Sequence, residues 1–173
     1  MRTPLTILLA VVLLSPLAAG ATDVSGPVSG VWDQAGSPYY VVGDAWVPAD
    51  DTLIIMPGVE VLFYATYKLS VLDNAILYAV GTKQDSILFS TPFHDEGWQG
   101  IRFLYANDLS QLSYCRLEYG RAVGSGDDRS GGAIFINVCS PTISHNSIDS
   151  CYAEEWGGGT TVTPPTPPSA TTT

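Results

Sequence analysis

"GGAIFINVCSPTIS", Gly131 to Ser144, decides how this chain folds. A glycine pair opens the unit, the strand-sized run Ile134-Phe135-Ile136 follows, and Pro141 separates it from a second short apolar stretch. The next glycine pair, Gly157 and Gly158, begins 26 residues after Gly131. Upstream, "GWQGIRF" matches "SGGAIF" when Ile101 is set on Ile134, a spacing of 33. Short apolar runs recurring at such intervals, with no helix between them, indicate coils stacked into a solenoid. The longer spacing is absorbed by "GRAVGSGDDRS", Gly120 to Ser130, whose glycines and charges place it outside the stack.

Runs of the same kind fill the chain on either side. "TLIIMPGVEVLFY", "KLSVLDNAILYAVG", "SILFS", "GIRFL" and "LSYCRLEYG" are β-branched and aromatic, punctuated by Gly, Pro, Asn and Asp. Pro57-Gly58 has the chemistry of a type II turn, with φ preset by Pro and a positive φ open to Gly. Gly81 and Asp73-Asn74 punctuate the next pair of runs. Strand alternation sets Ile101 and Phe103 against an outward Arg102, and Cys115, Leu117 and Tyr119 against Tyr114, Arg116 and Glu118. Ile101, Phe103, Leu117, Ile134 and Ile143 are the expected core, in roughly five or six coils.

The first residues carry the signature of export. Arg2 precedes the apolar run Leu5 to Leu14 and the small residues Ala18 to Ala21, so residues 1–21 are expected to be a secretory signal peptide. The remainder suffices for one domain with its own core. Seventeen acidic residues against seven basic ones, a net charge of −10, exclude nucleic acid and anionic lipid as expected partners. That acidity tolerates calcium without indicating a calcium site. Cys115, Cys139 and Cys151 have no metal-site spacing, and their odd number leaves open a Cys115–Cys139 bridge or buried free thiols.

Together, "TLIIMPGVEVLF", "AILYAVGTKQDSILFS", "GWQGIRF", "LSYCRLEYG", "GGAIF" and "SPTISHNSI" resemble the secreted bacterial right-handed parallel β-helix proteins of the pectate-lyase-like superfamily, over about Gly30 to Gly159. The resemblance implies an all-β solenoid of three-stranded coils, with inward Ile, Leu, Val and Cys ladders and Asn residues such as Asn146 stacked at turns. It makes residues 22–48 an N-terminal cap and 49–159 the coils, while the Thr/Pro-rich composition of 160–173 predicts a disordered tail. The superfamily includes lyases, hydrolases and noncatalytic surface proteins, and fold alone does not select among them.

Two functions are weighed. The favoured one is a noncatalytic secreted or cell-surface module, glycan-binding or adhesive, presenting Trp98, Arg102, Tyr114, Arg116 and Glu118 from its outer faces. The partner is then an extracellular polysaccharide or a cell-surface glycan, and no cofactor is expected. The alternative is a polysaccharide lyase or glycoside hydrolase, for which Asp127 and Asp128 near Glu118 are the one acidic cluster that begins to qualify. Glu154 and Glu155, adjacent in sequence, are expected on opposite faces. His94 and His145 lack a histidine or nucleophile partner and are read as structural. No nucleophile elbow or phosphate loop is present.

The tail "GGGTTVTPPTPPSATTT" reads as a Thr/Pro-rich linker or as the product of a slipped frame. Read one base earlier, its codon classes allow Pro-Thr-Ile-Ser-His-Asn over 167–172, which is Pro141 to Asn146 displaced by 26 residues. The slipped frame is favoured here, making the chain a truncated piece of a longer β-helix.

Overall fold

The computed structural model describes residues 20–163, which form seventeen strands and one turn of 3-10 helix, Gly126–Arg129. The strands lie on three faces. The first carries β2 (Gly30–Trp32), β4 (Thr52–Ile55), β7 (Ile76–Val80), β10 (Gln111–Ser113) and β14 (Thr142–Ser144). The second carries the first half of β3 (Tyr39–Val47), then β5 (Glu60–Phe63), β8 (Ile87–Ser90), β11 (Cys115–Glu118) and β15 (Ser147–Asp149). The third carries the second half of β3, then β6 (Leu69–Val71), β9 (Ile101–Leu104), β13 (Ile134–Asn137) and β17 (Thr160–Thr163). β1 (Thr22–Pro27) lies along β3, and β12 (Arg121–Ala122) pairs with β16 (Tyr152–Ala153). Every pairing is parallel, and successive strands rotate from face to face, so the described residues form a parallel β-helix of five coils.

The repeat spacing governs the register. Ile134 pairs with Ile101 on one side and Thr160 on the other, so both spacings found in the sequence are steps between stacked coils. Gly131 and Gly157 occupy equivalent corners in the left-handed region, at φ 68° and 56°. A Cβ on either would collide with a backbone carbonyl, that of Ile134 or Thr160, which excludes any larger residue at both corners.

Inward side chains stack coil upon coil, as Val61, Phe89 and Leu117 do on the second face and Leu69, Ile101 and Ile134 on the third. Burial of each is worth roughly 1.5–3 kcal/mol, and a single coil could not bury them alone. Ile101, Phe103, Leu117 and Ile134 are completely buried, as expected. Ile143 is only half-buried, because β14 is the outermost strand of its face among the described residues. Tyr119 departs from the inward row: β11 ends at Glu118, and the left-handed backbone at Tyr119 (φ 59°) turns its ring onto His94, 3.8 Å away.

Residues 22–48, expected as a cap, contribute β1, β2 and β3, which pair in the same stack as later coils. Thr160 to Thr163, expected in the tail, form β17 on β13. The signal reading over residues 1–19 and the tail reading over 164–173 lie outside the described residues.

Corner polar groups are paired between coils. Asn107 donates to Asn74 and Asn74 to Asp50, both at 2.7 Å, a ladder of the kind implied for Asn146. Asn146 itself bridges backbone: its Oδ1 accepts the Cys115 N–H at 2.8 Å and its Nδ2 donates to the Leu112 carbonyl at 2.7 Å. All three cysteines are free thiols. Burial pushes the Cys115 thiol up to about 12.

Candidate binding site

The sharpest corner of the β-helix lies between its first and second faces. β10 and β11 are joined by Tyr114 alone, which turns the chain with φ 51°. His145 holds the equivalent place one coil on, with φ 56°, since Ser113 pairs with Ser144 and Arg116 with Ser147. A left-handed non-glycine residue costs about 1–2 kcal/mol, and here it occurs twice in register. The two rings stack at 4.7 Å and 11°. On the coil before, the longer connection of residues 81–86 stands beside this pair. The result is an open groove of about 520 Å³, lined by Tyr114 and His145 together with Lys83, Ser86, Arg116 and Ser147.

Charge in the groove is cationic on an acidic molecule. Arg116 forms an ion pair with Glu118, yet its side chain is 53% exposed. Lys83 has no ion-pair partner among the described residues. Flat stacked rings beside hydroxyl, ammonium and guanidinium donors suit a ligand with an apolar face and a rim of acceptors.

Other expected site residues are placed differently. Trp98 is completely buried, not outward: it stacks on Phe63 at 4.1 Å, and its Nε1 donates to the Glu118 carbonyl at 2.7 Å. Alternation counted back from Ile101 does not reach it, because Gly100 at φ 76° breaks the strand geometry between them. Arg102 does point out of the sheet, but it is only 2% exposed, covered by the Gly120 to Ser130 connection. Its Nη1 donates to the Ser130 carbonyl, its guanidinium lies 5.4 Å from the centre of the Phe135 ring, and Nε and Nη2 have no partner. Burial lowers its pKa, with Asp128 and Asp127 opposing that shift.

The connection begins inside the stack, against expectation, with Gly120 bridged to Trp98 and β12 paired with β16, and its exposed remainder is docked on the outside. Lys68 Nζ donates to both oxygens of Asp128 at 2.9 Å. Arg129 donates from Nε to Glu154 at 3.0 Å and pairs through Nη1 with Glu155 at 2.9 Å. The two glutamates therefore converge, against expectation, because β16 ends at Ala153 and strand alternation stops there. Glu118, Asp127 and Asp128 do not form a common site: Glu118 is held by Arg116 and Asp128 by Lys68. Among the described residues no group of three His, Cys, Asp or Glu side chains is placed to hold a metal ion.

From sequence, His145 reads as structural and Lys83 is not singled out. A signal for His145 was present: "LSYC" at 112–115 and "ISHN" at 143–146 align residue for residue and set Tyr114 on His145. Nothing comparable marks Lys83, whose place depends on the width of a corner loop. No protein-family model, curated protein or solved structure matches this chain.

Proposed function

We propose that this chain is a noncatalytic β-helix module of the pectate-lyase-like superfamily, secreted or displayed at the cell surface, that binds a glycan at the Tyr114–His145 corner. The stacked ring pair carries the proposal. Two corner residues stack their rings on one another, Tyr114 half-buried and His145 exposed, and line an open groove with Arg116 and Lys83 beside them. A pyranose ring has the matching shape, since its C–H face stacks on an aromatic surface while its equatorial hydroxyls reach flanking donors and acceptors. The export-like sequence at 1–21 supports the extracellular assignment. The lyase or hydrolase reading is not favoured, because Asp128 is paired with Lys68 and Glu118 with Arg116 rather than both facing one substrate.

The test is a screen of the full secreted chain against immobilised plant, fungal and bacterial glycans. Tyr114→Ala and His145→Ala are each expected to weaken the strongest binding about tenfold, with the melting temperature nearly unchanged. Binding indifferent to both changes overturns the site. Polysaccharide turnover lost on Asp127→Ala or Asp128→Ala replaces the proposal with the enzymatic one.

A further inference from the structure

The corner between the second and third faces carries a cluster of different geometry. Tyr40, Tyr64 and Phe93 come from three successive coils: Tyr40 from β3, Tyr64 from the residue after β5, and Phe93 from the connection between β8 and β9. Tyr64 and Phe93 stand edge to face, 6.0 Å apart at 83°, and Tyr40 closes on Tyr64 at 4.8 Å and 54°. In a core such edges would be sealed. Here Tyr64 is 41% and Phe93 43% exposed, and their rings wall a groove of about 300 Å³ together with Ala65, Thr66 and Glu96.

The chemistry of the walls is uniformly attractive to positive charge. Ring faces are the negative poles of the aromatic quadrupole. Glu96 adds a carboxylate, and it has no ion-pair partner among the described residues. Asp23 lies close enough to act on the Tyr64 phenol, which partial burial, then Tyr40, then that carboxylate hold above its ordinary pKa. The chain's net charge of −10 reinforces the field.

Shape narrows the class of cation. A metal ion needs several oxygen ligands, whereas this groove supplies one carboxylate and apolar walls. A sugar lies flat on a single aromatic surface, and walls at a right angle prevent that. An alkylated ammonium is apolar and positive in every direction, so it fills a right-angled aromatic corner while keeping its charge within reach of ring faces and carboxylate.

We propose that Tyr64, Phe93 and Glu96, with Tyr40 packed behind Tyr64, form a cage for an organic ammonium group, with a quaternary ammonium as the preferred ligand. The site is separate from the glycan groove and stands or falls independently of it. The probes are choline and its neutral isostere 3,3-dimethylbutan-1-ol, titrated into the full chain while the aromatic resonances are followed by NMR. Choline is expected to saturate, with the isostere at least about tenfold weaker. Glu96→Gln should weaken choline about fivefold. Phe93→Leu, which keeps an apolar side chain but removes the ring face, should weaken it about tenfold without lowering the melting temperature by more than a few degrees. Cosedimentation with phosphatidylcholine vesicles would place the ammonium on a lipid headgroup, and choline binding without cosedimentation would place it on a soluble or glycan-borne group. Equal binding of the two probes, no choline binding up to about 50 mM, unchanged binding by both variants, or a response of this corner to neutral sugars alone would each overturn the proposal.

Discussion

Arg102 and Arg116 occupy the same kind of position, second in a four-residue strand and facing away from the core, yet one is sealed and the other open. Arg116 stands 53% exposed beside the groove, whereas Arg102 is 2% exposed. The strands do not make this difference; the corners do. β10 passes to β11 through Tyr114 alone and leaves the second face uncovered. The connection from β11 to β13 instead folds back across the third face, where Lys68 fastens Asp128 and Arg102 meets the Ser130 carbonyl. Alternation fixes the side of the sheet, while access is set by neighbouring connections.

Trp98 and Tyr114 give that contrast its largest measurable form, since both were expected outward. Trp98→Ala should cost about 3–5 kcal/mol, because it empties a buried aromatic stack and removes the Glu118 carbonyl's indole donor. Tyr114→Ala should cost no more than about 1 kcal/mol, because the ring is only half-buried at a corner, and alanine leaves the left-handed backbone as it is. Chemical denaturation of both variants checks the pair, and equal losses would dissolve the distinction.

Cys115, immediately after Tyr114, sharpens the boundary between corner and core. Its thiol titrates near 12 in the folded chain, above the ordinary value of about 8.5 in the unfolded one. The unfolded chain therefore ionises first. The stability this thiol contributes is fully present below about pH 8.5 and is lost as pH rises toward 12. Melting temperature against pH for the native chain and for Cys115→Ala should converge across that window. A pH-independent difference would place the thiol in contact with water.

The contrast also marks how far the sequence could be read. The recurrent glycine corners and the alignment of Ile101 with Ile134 were legible because stacked coils force the same backbone and the same inward side chains to recur. The repeat also contained the Tyr114–His145 pairing, which needed a second internal spacing to be noticed. Burial of Trp98 was not legible, because a glycine corner reset the alternation. Nor was the cover over Arg102, because contacts such as Lys68 to Asp128 join residues 60 positions apart through a loop that follows no repeat.

The loop's attachment predicts a moderate effect. The Lys68–Asp128 pair is partly exposed, so Asp128→Asn should cost no more than about 1 kcal/mol of global stability. Local opening should respond more clearly. Proteolysis at the exposed tip around Gly124 to Asp127 is expected to quicken several-fold, with cleavage elsewhere unchanged. An unaltered cleavage rate would mean that Arg129 and Arg102 hold the loop without Lys68.

Arg102→Met should have the smallest effect on stability and is the most discriminating test of the sealed face. The arginine has lost water from its whole guanidinium but makes one hydrogen bond, leaving Nε and Nη2 without partners. Methionine has a similar reach and no polar atom to satisfy, so the substitution removes a desolvation penalty. Against that gain stand the lost Phe135 contact, an unpartnered Ser130 carbonyl, and the loss of a positive charge near Asp127 and Asp128. These opposing contributions are each about 1–3 kcal/mol and nearly cancel, so the melting temperature should move by only a few degrees in either direction. A loss above about 3 kcal/mol would show that the guanidinium is paired with the loop aspartates in solution, making Arg102 the clasp of the loop rather than a residue trapped beneath it.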